Sequence, residues 1–387
     1  MNNFICIILG GYVNGYSIIQ ELTENGVRNI VLIDDKKDVA WHSHLLSKCI
    51  CIQDFENPHF LQEALISLGI NDQKLIIYPT KDEHLDALSQ IYSEISCFAY
   101  MGFDVKTVRD YQSKKIQYQF CEKLGVPYPK TCFVKTTKDI DLIDTLRFPI
   151  LIKPSKSINE IRNFIVENID EFNKQRKTIE FYLSKDVEFL FSEMIPGAGD
   201  QIYAYMAYVD KKNNILGEWT GKKLAQFPNN FGVFSSAMAV DNEEVMNLGR
   251  KLVQGMRLTG IVEPEFKYDA RDGKYKLMEI NLRSMMWNRV GAINGMPLHY
   301  IQYLDAAQQA MPKFIFKPQD KHYVYLQYEF LNLILRKGYR NIYKFNLFGG
   351  KEREFALCQK GDMRTFIRGW ILLIEKIIKK SHKYLHK

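Results

Sequence analysis

Three polar side chains that could bind a metal ion lie in one charged stretch of the 387-residue chain. Glu279 and Asn281 alternate along a predicted strand and so project from one face, while Glu265 lies on the preceding predicted strand. The Asp272-Gly273 pair between them predicts a tight hairpin that folds the two strands together. Carboxylate and amide oxygens are the ligands that Mg²⁺ prefers, and substrate phosphates often complete its shell. The stretch therefore predicts either a site for a metal-bound polyphosphate or the solvated face of an ordinary charged hairpin.

Two basic residues are well placed to act beside such an ion. Arg283 continues the alternation of the strand that carries Glu279, so its guanidinium would lie next to the metal ligands. Lys153 ends the short apolar run at 148–154, which predicts a buried strand with one ammonium group at its end. A lysine in that position can neutralise phosphate charge, although a strand-terminal lysine often simply reaches solvent.

Over roughly residues 114–300, several motifs in chain order resemble those of the ATP-grasp superfamily. The resemblance begins with Lys114, which opens a predicted helix, and with the turn at 125–131 that follows this helix. It continues through Lys153 to the charged hairpin. It implies that the hairpin supplies the metal ligands, which would be Glu265, Glu279 and Asn281.

The same resemblance assigns other residues to the nucleotide. Lys153 would contact the α- and β-phosphates, and the segment 193–197 would be the hinge along which adenine lies. Asp200 would hold the ribose, and Arg283 would stabilise the negative charge that develops during catalysis. The residues implied to bind ATP are Lys114, Lys153, Ser155, Glu193, Met194, Ile195 and Asp200.

The loop after Lys153 departs from the family pattern. Many relatives have a glycine-rich flap there whose amides cover the phosphates, whereas residues 153–162 contain no glycine. Ser155 and Ser157 still offer amides and hydroxyls, and Lys156 adds charge, but a loop without glycine cannot bring its backbone as close to a ligand. This departure leaves a non-catalytic, ATP-binding regulatory module as an alternative to an enzyme.

A pair of lysines lies between the hinge and the hairpin. In related carboxylate–amine ligases a basic residue at this place, followed by a proline and a glycine, lies beside the triphosphate or the acceptor carboxylate. Lys222 or Lys223 is therefore a candidate catalytic residue, with a solvated lysine pair as the alternative. Arg289 is a further candidate for a contact with substrate.

The N-terminus predicts a Rossmann-like domain. An apolar strand leads into a glycine turn and a helix, and Asp34 ends the next strand. The turn at 10–15 lacks the G-x-G-x-x-G spacing of dinucleotide sites, and ATP-grasp enzymes commonly begin with such a domain without binding a dinucleotide there. The residues that the resemblance places towards the substrate are Gly11, Asn14 and Asp82.

These elements predict a mixed α/β and α+β architecture. We expect a Rossmann-like domain at 1–112, an ATP-grasp domain at 113–310 and a helical, basic C-terminal extension at 311–387. The ATP-grasp domain would divide at about residue 190 into a small ATP-binding subdomain and a metal and substrate subdomain, each built on an antiparallel sheet.

Composition agrees with a cytoplasmic enzyme. An apolar fraction of 46% can build real cores. Seven scattered cysteines without a C-x-x-C pair argue against a disulfide framework or a zinc site. Met1 leads almost directly into an apolar strand, which leaves no room for a signal peptide, and no apolar run has the length of a membrane span.

Positive charge is concentrated at the C-terminus. From Met311 onward, 17 Lys and Arg residues face 6 Asp and Glu residues. The segment 365–387 has the pattern of a basic amphipathic helix, which predicts either contact with an anionic membrane or docking on the protein body through its apolar stripe. Nucleic-acid binding is not supported, because no recognition motif accompanies the charge. The apolar stripe is Trp370, Ile371, Ile374, Ile377 and Ile378, and the lysines around it are Lys376, Lys379, Lys380 and Lys383.

The ATP-grasp resemblance also implies a reaction. Such enzymes typically activate a carboxylate with ATP as an acyl phosphate, and an amine then displaces the phosphate. ATP and Mg²⁺ are the expected cofactors, with two ions bound and Mn²⁺ as a substitute, and catalysis would come mainly from positioning and electrostatics. No side-chain nucleophile is needed, and the sequence offers no persuasive Ser-His-Asp arrangement. Relatives are often dimers, so a homodimer is a further expectation.

The end of the chain narrows the resemblance. The segment 355–364 and the basic helix after it resemble the ends of ATP-grasp carboxylate–amine ligases from bacterial surface-polysaccharide gene clusters. This resemblance implies that an amino acid or amine is joined to a sugar carboxylate, or the reverse, during capsule or O-antigen synthesis. The substrate would be a small molecule or a lipid-linked glycan, and the enzyme would lie on the inner face of the membrane. The alternative is the D-aspartate ligase group, which attaches an amino acid to a peptidoglycan precursor.

Overall fold

The computed structural model describes residues 4–69, 73–155, 163–229 and 232–385, with the backbone alone at 379–385. The N-terminal region is a parallel sheet flanked by helices. Its strands are β1 (Phe4–Leu9), β2 (Ile30–Asp34), β3 (Lys48–Cys51), β4 (Lys74–Pro79) and β5 (Ala99–Met101). Its helices are α1 (Val13–Glu24), α2 (Pro58–Leu68), α3 (Asp82–Gln90), α4 (Tyr92–Ile95) and α5 (Val108–Tyr111), and a 3-10 helix spans Val39–His42.

The strand order of this sheet is β3-β2-β1-β4-β5, and every neighbouring pair is parallel. β1, β2 and β4 are nearly continuous apolar runs with almost every residue buried, as expected for a parallel sheet that is covered on both faces. The predicted Rossmann-like domain is therefore confirmed.

The second unit is a small antiparallel sheet in the order β6-β9-β7-β8, with strands β6 (Thr131–Val134), β7 (Ile150–Pro154), β8 (Phe164–Val166) and β9 (Phe189–Glu193). Helix α6 (Lys114–Leu124) precedes it and α7 (Ile169–Leu183) lies within it, as does a 3-10 helix at Thr137–Thr145. The apolar face of α7 and the inner faces of the strands form a core of their own. β7 is the predicted apolar strand that ends beside Lys153.

The third unit is a seven-stranded sheet in the order β14-β13-β10-β11-β12-β15-β16. Its strands are β10 (Ile202–Val209), β11 (Ile215–Phe227), β12 (Val233–Ala239), β13 (Gly260–Asp269), β14 (Lys274–Asn281), β15 (Lys321–Val324) and β16 (Glu352–Phe355). The predicted hairpin joins β13 to β14, and Gly273 takes a positive φ of 68° in its turn, a conformation that favours glycine. The helices before β15 are α8 (Glu243–Gly255), α9 (Arg289–Ala292) and α10 (Leu298–Ala306), and a 3-10 helix spans Gly199–Gln201.

The C-terminal segment is more than a helical tail. It adds β15 and β16 to the seven-stranded sheet, and its helices are α11 (Leu326–Leu335), α12 (Arg340–Phe348) and α13 (Met363–Leu385). Buried Asp362, just before α13, accepts a hydrogen bond from Tyr16 of α1 at 3.0 Å, so the last segment is anchored on the first helix.

Helix α13 docks and leaves an apolar stripe exposed at the same time. It packs on the 3-10 helix at Val39–His42 and on α11, with Thr365 and Leu373 buried. Ile371 and Ile374 of the predicted stripe are 42% and 54% exposed. The docked face therefore differs from the isoleucine stripe. Among the described residues, no helix is both long and apolar enough to cross a membrane.

Candidate active site

The polar face of the β13–β14 hairpin is the centre of the candidate site. Glu265 lies opposite Glu279 in the strand register, and Glu263 lies opposite Asn281. Side chains directly opposite on antiparallel strands are close neighbours, so three carboxylates and an amide share one patch. Phe266 projects from the other face into the hydrophobic core, which fixes the direction of the acidic residues.

Two lysines from other elements converge on Glu279. Lys114, the first residue of α6, forms an ion pair with this carboxylate, and the ammonium group holds the pKa of Glu279 well below its usual range. Lys153, near the end of β7, lies beside both residues. Burial, together with the positive charge of Lys114, lowers the pKa of Lys153 to about 7. Lys114, Lys153 and Glu279 thus form one cluster, and the resemblance places the phosphates of ATP beside Lys153.

Lys222 and Lys223 are adjacent on β11, so strand alternation places them on opposite faces of the sheet. Lys223 points to the acidic patch, where its Nζ lies 2.5 Å from Glu265 Oε2, and both side chains are less than 10% exposed. Burial acts to lower the pKa of Lys223, but the charges of Glu265 and Glu263 outweigh it and raise that pKa. Lys222 projects the other way, with its Nζ 5.4 Å from the centre of the Tyr203 ring. Lys223 is therefore the member of the pair that belongs to the patch.

Glu263 is a member of the patch that the sequence analysis did not single out. Its side chain is fully buried, and Oε1 accepts a hydrogen bond of 3.3 Å from Trp287 Nε1. Oε2 has no hydrogen-bond partner within the described residues, and burial raises the pKa of Glu263 well above its usual value. Strand alternation alone could have predicted this position, because Glu263 is two residues before Glu265 and so projects from the same face of the strand.

The donor set suits a hard cation, although the carboxylates hold lysines here. Across the described ranges, no three His, Cys, Asp or Glu side chains converge on a common ion position. Lys114 and Lys223 instead neutralise Glu279 and Glu265. Glu263 nevertheless has one buried oxygen without a hydrogen-bond partner among the described residues, and carboxylate oxygens suit Mg²⁺. Metal binding by Glu265, Glu279 and Asn281 thus stays a prediction.

The predicted hinge lies against the same hairpin. Glu193 ends β9, and the Met194 amide donates to the carbonyl of Pro149 at 2.9 Å. Lys267, two residues after Glu265 on β13, donates to the carbonyls of Ile195 at 2.9 Å and of Gly197 at 2.7 Å. This lysine, which the sequence analysis missed, connects the hinge to the acidic strand.

Asp200 and the phosphate loop complete the predicted nucleotide site. Asp200 lies in the 3-10 helix after the hinge, and its charge acts to raise the pKa of Lys267 against the larger effect of burial. The Ser155 amide donates to the carbonyl of Glu188 at 2.8 Å, so this amide is not free for a phosphate. Lys156 and Ser157 lie outside the described residues.

Arg283 and Asp82, predicted for different roles, form one ion pair. Arg283 Nε lies 2.7 Å from one oxygen of Asp82, and a terminal guanidinium nitrogen lies 3.2 Å from the other. Burial acts to lower the pKa of Arg283, but the carboxylate outweighs it and raises that pKa. The contact joins the start of α3 to the end of β14, so the N-terminal domain touches the candidate site directly.

The other N-terminal candidates make internal contacts. The Gly11 amide donates to a carboxylate oxygen of buried Asp34 at 2.6 Å, and Asn14 Nδ2 donates to the carbonyl of Thr80 at 2.8 Å. Asp34 is thus occupied by the glycine turn, where a dinucleotide-binding acid would face a ribose. A substrate role for Gly11 and Asn14 stays a prediction that their contacts do not favour.

Arg289 also has structural contacts. Its guanidinium makes two hydrogen bonds to Glu24 of α1, at 2.8 and 2.6 Å, and one to Glu354 of β16 at 2.7 Å. The side chain is 5% exposed. Both partners lie on elements outside the acidic patch, so the predicted contact of Arg289 with substrate gains no support.

Comparisons with known proteins agree with this architecture. The chain is 24% identical over 316 residues to D-aspartate ligase of Enterococcus faecium (strain Aus0004), which covers 76% of this chain and 75% of that protein. It is 21% identical over 193 residues to the carbamoyl phosphate synthase large chain of Methanobrevibacter smithii, but spans only 18% of that protein. No family model matches the chain.

Solved structures show the same fold. N5-carboxyaminoimidazole synthetase from Staphylococcus aureus, complexed with ADP, superposes with a TM-score of 0.65 at 16% identity and covers 87% of this chain and 86% of that one. Biotin carboxylase from Campylobacter jejuni gives 0.63 at 14% identity, over 82% and 74% of the two chains.

The predicted fold is confirmed by these structures, and the similarities agree with the ATP-grasp resemblance of the sequence. The predicted enzyme class, a ligase that forms carbon–nitrogen bonds, agrees with the similarity to D-aspartate ligase. The substrates are not shown by these similarities.

Because the pKa of Lys153 is about 7, nucleotide binding should take up a proton. We expect ADP, in the presence of EDTA, to raise this pKa, since phosphate charge favours the ammonium form. Proton uptake should then approach one per ADP at pH 8, where free Lys153 is mostly neutral, and Lys153 should contribute almost none at pH 6. Calorimetric titration in buffers of different ionisation enthalpy measures the uptake.

Lys153→Met should lose the uptake at pH 8, whereas Lys135→Met, at an exposed lysine of the same unit, should keep it. Equal uptake by the wild type and Lys153→Met would contradict the depressed pKa.

Proposed function

We propose that this protein is an ATP- and Mg²⁺-dependent carboxylate–amine ligase that makes an amide bond through an acyl phosphate. The observation that carries the proposal is the acidic patch of the β13–β14 hairpin, which Lys114, Lys153 and Lys223 approach from three different elements. Such an arrangement suits a triphosphate, because phosphoryl transfer depends on spreading negative charge over positioned cations.

Each residue has a role in the proposed chemistry. A substrate carboxylate oxygen attacks the γ-phosphorus, ADP leaves, and the amine nitrogen then attacks the acyl carbon with loss of phosphate and a proton. Lys153 gains its proton as the phosphates bind, and Lys223 and Arg283 stabilise negative charge on the transferring group. Mg²⁺, when bound by Glu265, Glu279 and Asn281, would neutralise charge on the phosphate oxygens.

For the substrates, we propose an amino acid or amine and a carboxylate of a cell-envelope precursor. The resemblance of the C-terminal segment favours a sugar carboxylate of a surface polysaccharide, in capsule or O-antigen synthesis. The similarity to D-aspartate ligase favours the alternative, an amino acid joined to a peptidoglycan precursor. ADP formation from Mg²⁺-ATP with D-aspartate and other amino acids, offered with uronic-acid sugars or with peptidoglycan precursors, separates these two.

The adjacent lysines of β11 test the catalytic proposal. We expect Lys223→Ala to lower kcat for ADP formation by about 100-fold or more, because it removes a buried cation from the transferring group. Lys222→Ala, one position away on the opposite face, should change kcat by less than about threefold. The readouts are ADP, AMP and nucleophile-dependent product under saturating ATP.

Three results would count against the ligase. AMP in place of ADP would overturn the acyl-phosphate mechanism. Equal losses in the two lysine variants would remove the role given to Lys223. Tight ATP binding without turnover on any substrate pair would favour the non-catalytic regulatory module.

We also propose that the exposed stripe of α13 contacts an anionic membrane, in a cytoplasmic enzyme whose substrate is carried on a lipid. Ile367, Ile371, Ile374 and Ile377 are 42–56% exposed, although the helix is already docked through another face. The C-terminal segment carries excess positive charge, which attracts anionic headgroups.

Vesicle sedimentation tests this contact. The wild type should bind phosphatidylglycerol vesicles more strongly than phosphatidylcholine vesicles, and Ile371→Glu with Ile374→Glu should weaken binding by about tenfold or more, because burial of apolar side chains contributes most of the affinity. Ile66→Glu, at an exposed isoleucine of α2, is the matched control. Unchanged binding by the double variant would exclude the stripe. If the wild type forms a dimer in solution and the double variant does not, the stripe would instead bind a second copy of the chain.

A further inference from the structure

Three buried residues from distant parts of the chain form a continuous hydrogen-bonded series. Ser284 Oγ lies 2.9 Å from His299 Nε2, and His299 Nδ1 lies 2.8 Å from Glu21 Oε2. Glu21 belongs to α1 in the N-terminal domain, Ser284 follows β14, and His299 lies in α10. Their exposures are 1%, 2% and 0%.

The contacts of Glu21 define how protons are arranged along this series. Its other oxygen accepts the backbone amides of His299 at 2.7 Å and Tyr300 at 3.0 Å. Since an ionised carboxylate only accepts hydrogen bonds, His299 Nδ1 donates to Glu21. In the tautomer with its proton on Nδ1, the ring accepts a hydrogen bond from the Ser284 hydroxyl at Nε2. Glu21 therefore determines the orientation of the Ser284 hydroxyl.

The series ends next to Arg283. The Ser284 amide also donates to the carbonyl of Pro79 at 3.3 Å, and Asp82 binds the guanidinium of Arg283. The end of β14 is thus held to the N-terminal domain by the backbone of Ser284, the side chain of Ser284 and the side chain of Arg283. These residues border a small cavity between the two domains.

Stability alone is a poor explanation for a buried Glu–His pair. Desolvation of ionisable groups offsets much of their attraction, so apolar side chains of similar volume often stabilise a fold equally well. What hydrogen bonds provide beyond packing is a defined geometry, and catalysis is sensitive to displacements of about 1 Å.

We propose that Glu21, His299 and Ser284 form a positioning relay that holds Arg283 in place for the ligase reaction. The effect of this relay on catalysis rests on the proposed ligase function. Through this relay the N-terminal domain sets the position of the catalytic arginine. The three members are positioning residues, because they act on the reaction through Arg283.

The order serine–histidine–glutamate also occurs around nucleophilic serines. Here the serine is buried, and the proposed reaction proceeds through an acyl phosphate without an enzyme ester. An acyl-serine is therefore treated as a competing outcome of the test.

The test uses Glu21→Gln and Ser284→Ala in the full chain, with His322→Gln as the matched control. Gln keeps the size of Glu21 and an oxygen for the two amides, but its NH₂ group would donate to His299 Nδ1 and so exchange the roles of the ring nitrogens. His322 is also buried, but it lies on β15 and bonds to the carbonyl of Asn346.

Two readouts do not depend on turnover. In ¹⁵N-histidine-labelled protein, the Nδ1 and Nε2 signals of one ring should exchange their protonated and unprotonated character in Glu21→Gln. In ¹⁵N-arginine-labelled protein, the Nε order parameter of Arg283 should fall in both relay variants. Both should stay unchanged in His322→Gln.

The kinetic readout separates positioning from binding. We expect kcat for ADP formation to fall by about 10- to 100-fold in both relay variants, with KM for ATP changed by less than about threefold. Thermal melting of each variant checks that the fold is retained, and the two variants perturb the relay from opposite ends.

The outcomes are distinct. An unchanged Arg283 order parameter in both relay variants would overturn the relay, whatever the kinetics. Complete loss of turnover in Ser284→Ala, together with a substrate mass on the Ser284 peptide of the wild type, would make Ser284 a nucleophile. If the wild type forms no ADP with any substrate pair, the proposed function fails, while the two spectroscopic readouts still decide whether the relay positions Arg283.

Discussion

Three carboxylates and three lysines meet around one hairpin, and those that are buried need partners of opposite charge. An unpaired buried charge is costly by several kcal/mol, whereas a paired one is tolerated. Glu279 is neutralised by the first residue of α6, and Glu265 by a residue of β11. These ion pairs join different elements: Lys114 and Glu279 are separated by 165 positions in the chain, and Lys223 and Glu265 by 42. Among the described residues, Lys153 forms no ion pair of its own, and burial together with the charge of Lys114 lowers its pKa. An incoming phosphate would supply the missing partner.

The parts of the site that could be predicted are those with local signals. The alternation of Glu265, Glu279 and Asn281 and the Asp272-Gly273 turn predicted the hairpin, and the apolar run before Lys153 predicted β7. The ATP-grasp resemblance predicted that the hairpin and the end of β7 lie close together. Lys222 and Lys223 could not be separated, because the faces of β11 depend on its pairing with β10 and β12, where the register shifts.

Other features had no sequence signal at all. Glu21 and His299 are 278 positions apart, and neither lies in a motif, so only the fold brings them together. The amphipathic pattern of α13 predicted an apolar stripe but could not say that a different face would dock. β15 and β16 are four residues each, too short and too polar for their alternation to stand out, and they pair in parallel at the edge of an otherwise antiparallel sheet.

The Rossmann-like domain contributes hydrogen bonds and an ion pair to the candidate site. In a dinucleotide-binding domain, the same glycine turn would instead form a ligand pocket. Here the glycine turn is closed by Asp34, and the domain's contacts towards the candidate site include those of Pro79, Asp82 and Glu21. In this strand–turn–helix unit, the protein's own Asp34 carboxylate occupies the amide of the glycine turn.

The distribution of hydrophobic cores has a mechanical consequence. Two of the cores contain side chains from both the N-terminal sheet and the seven-stranded sheet, so these two regions share much of their buried apolar surface. The third core is drawn from the four-stranded unit alone. Of the four-stranded unit, Leu190 of β9 is the buried residue that joins the first core. Because β7 carries Lys153, any displacement of this unit relative to the hairpin would change the distance between Lys153 and Glu279.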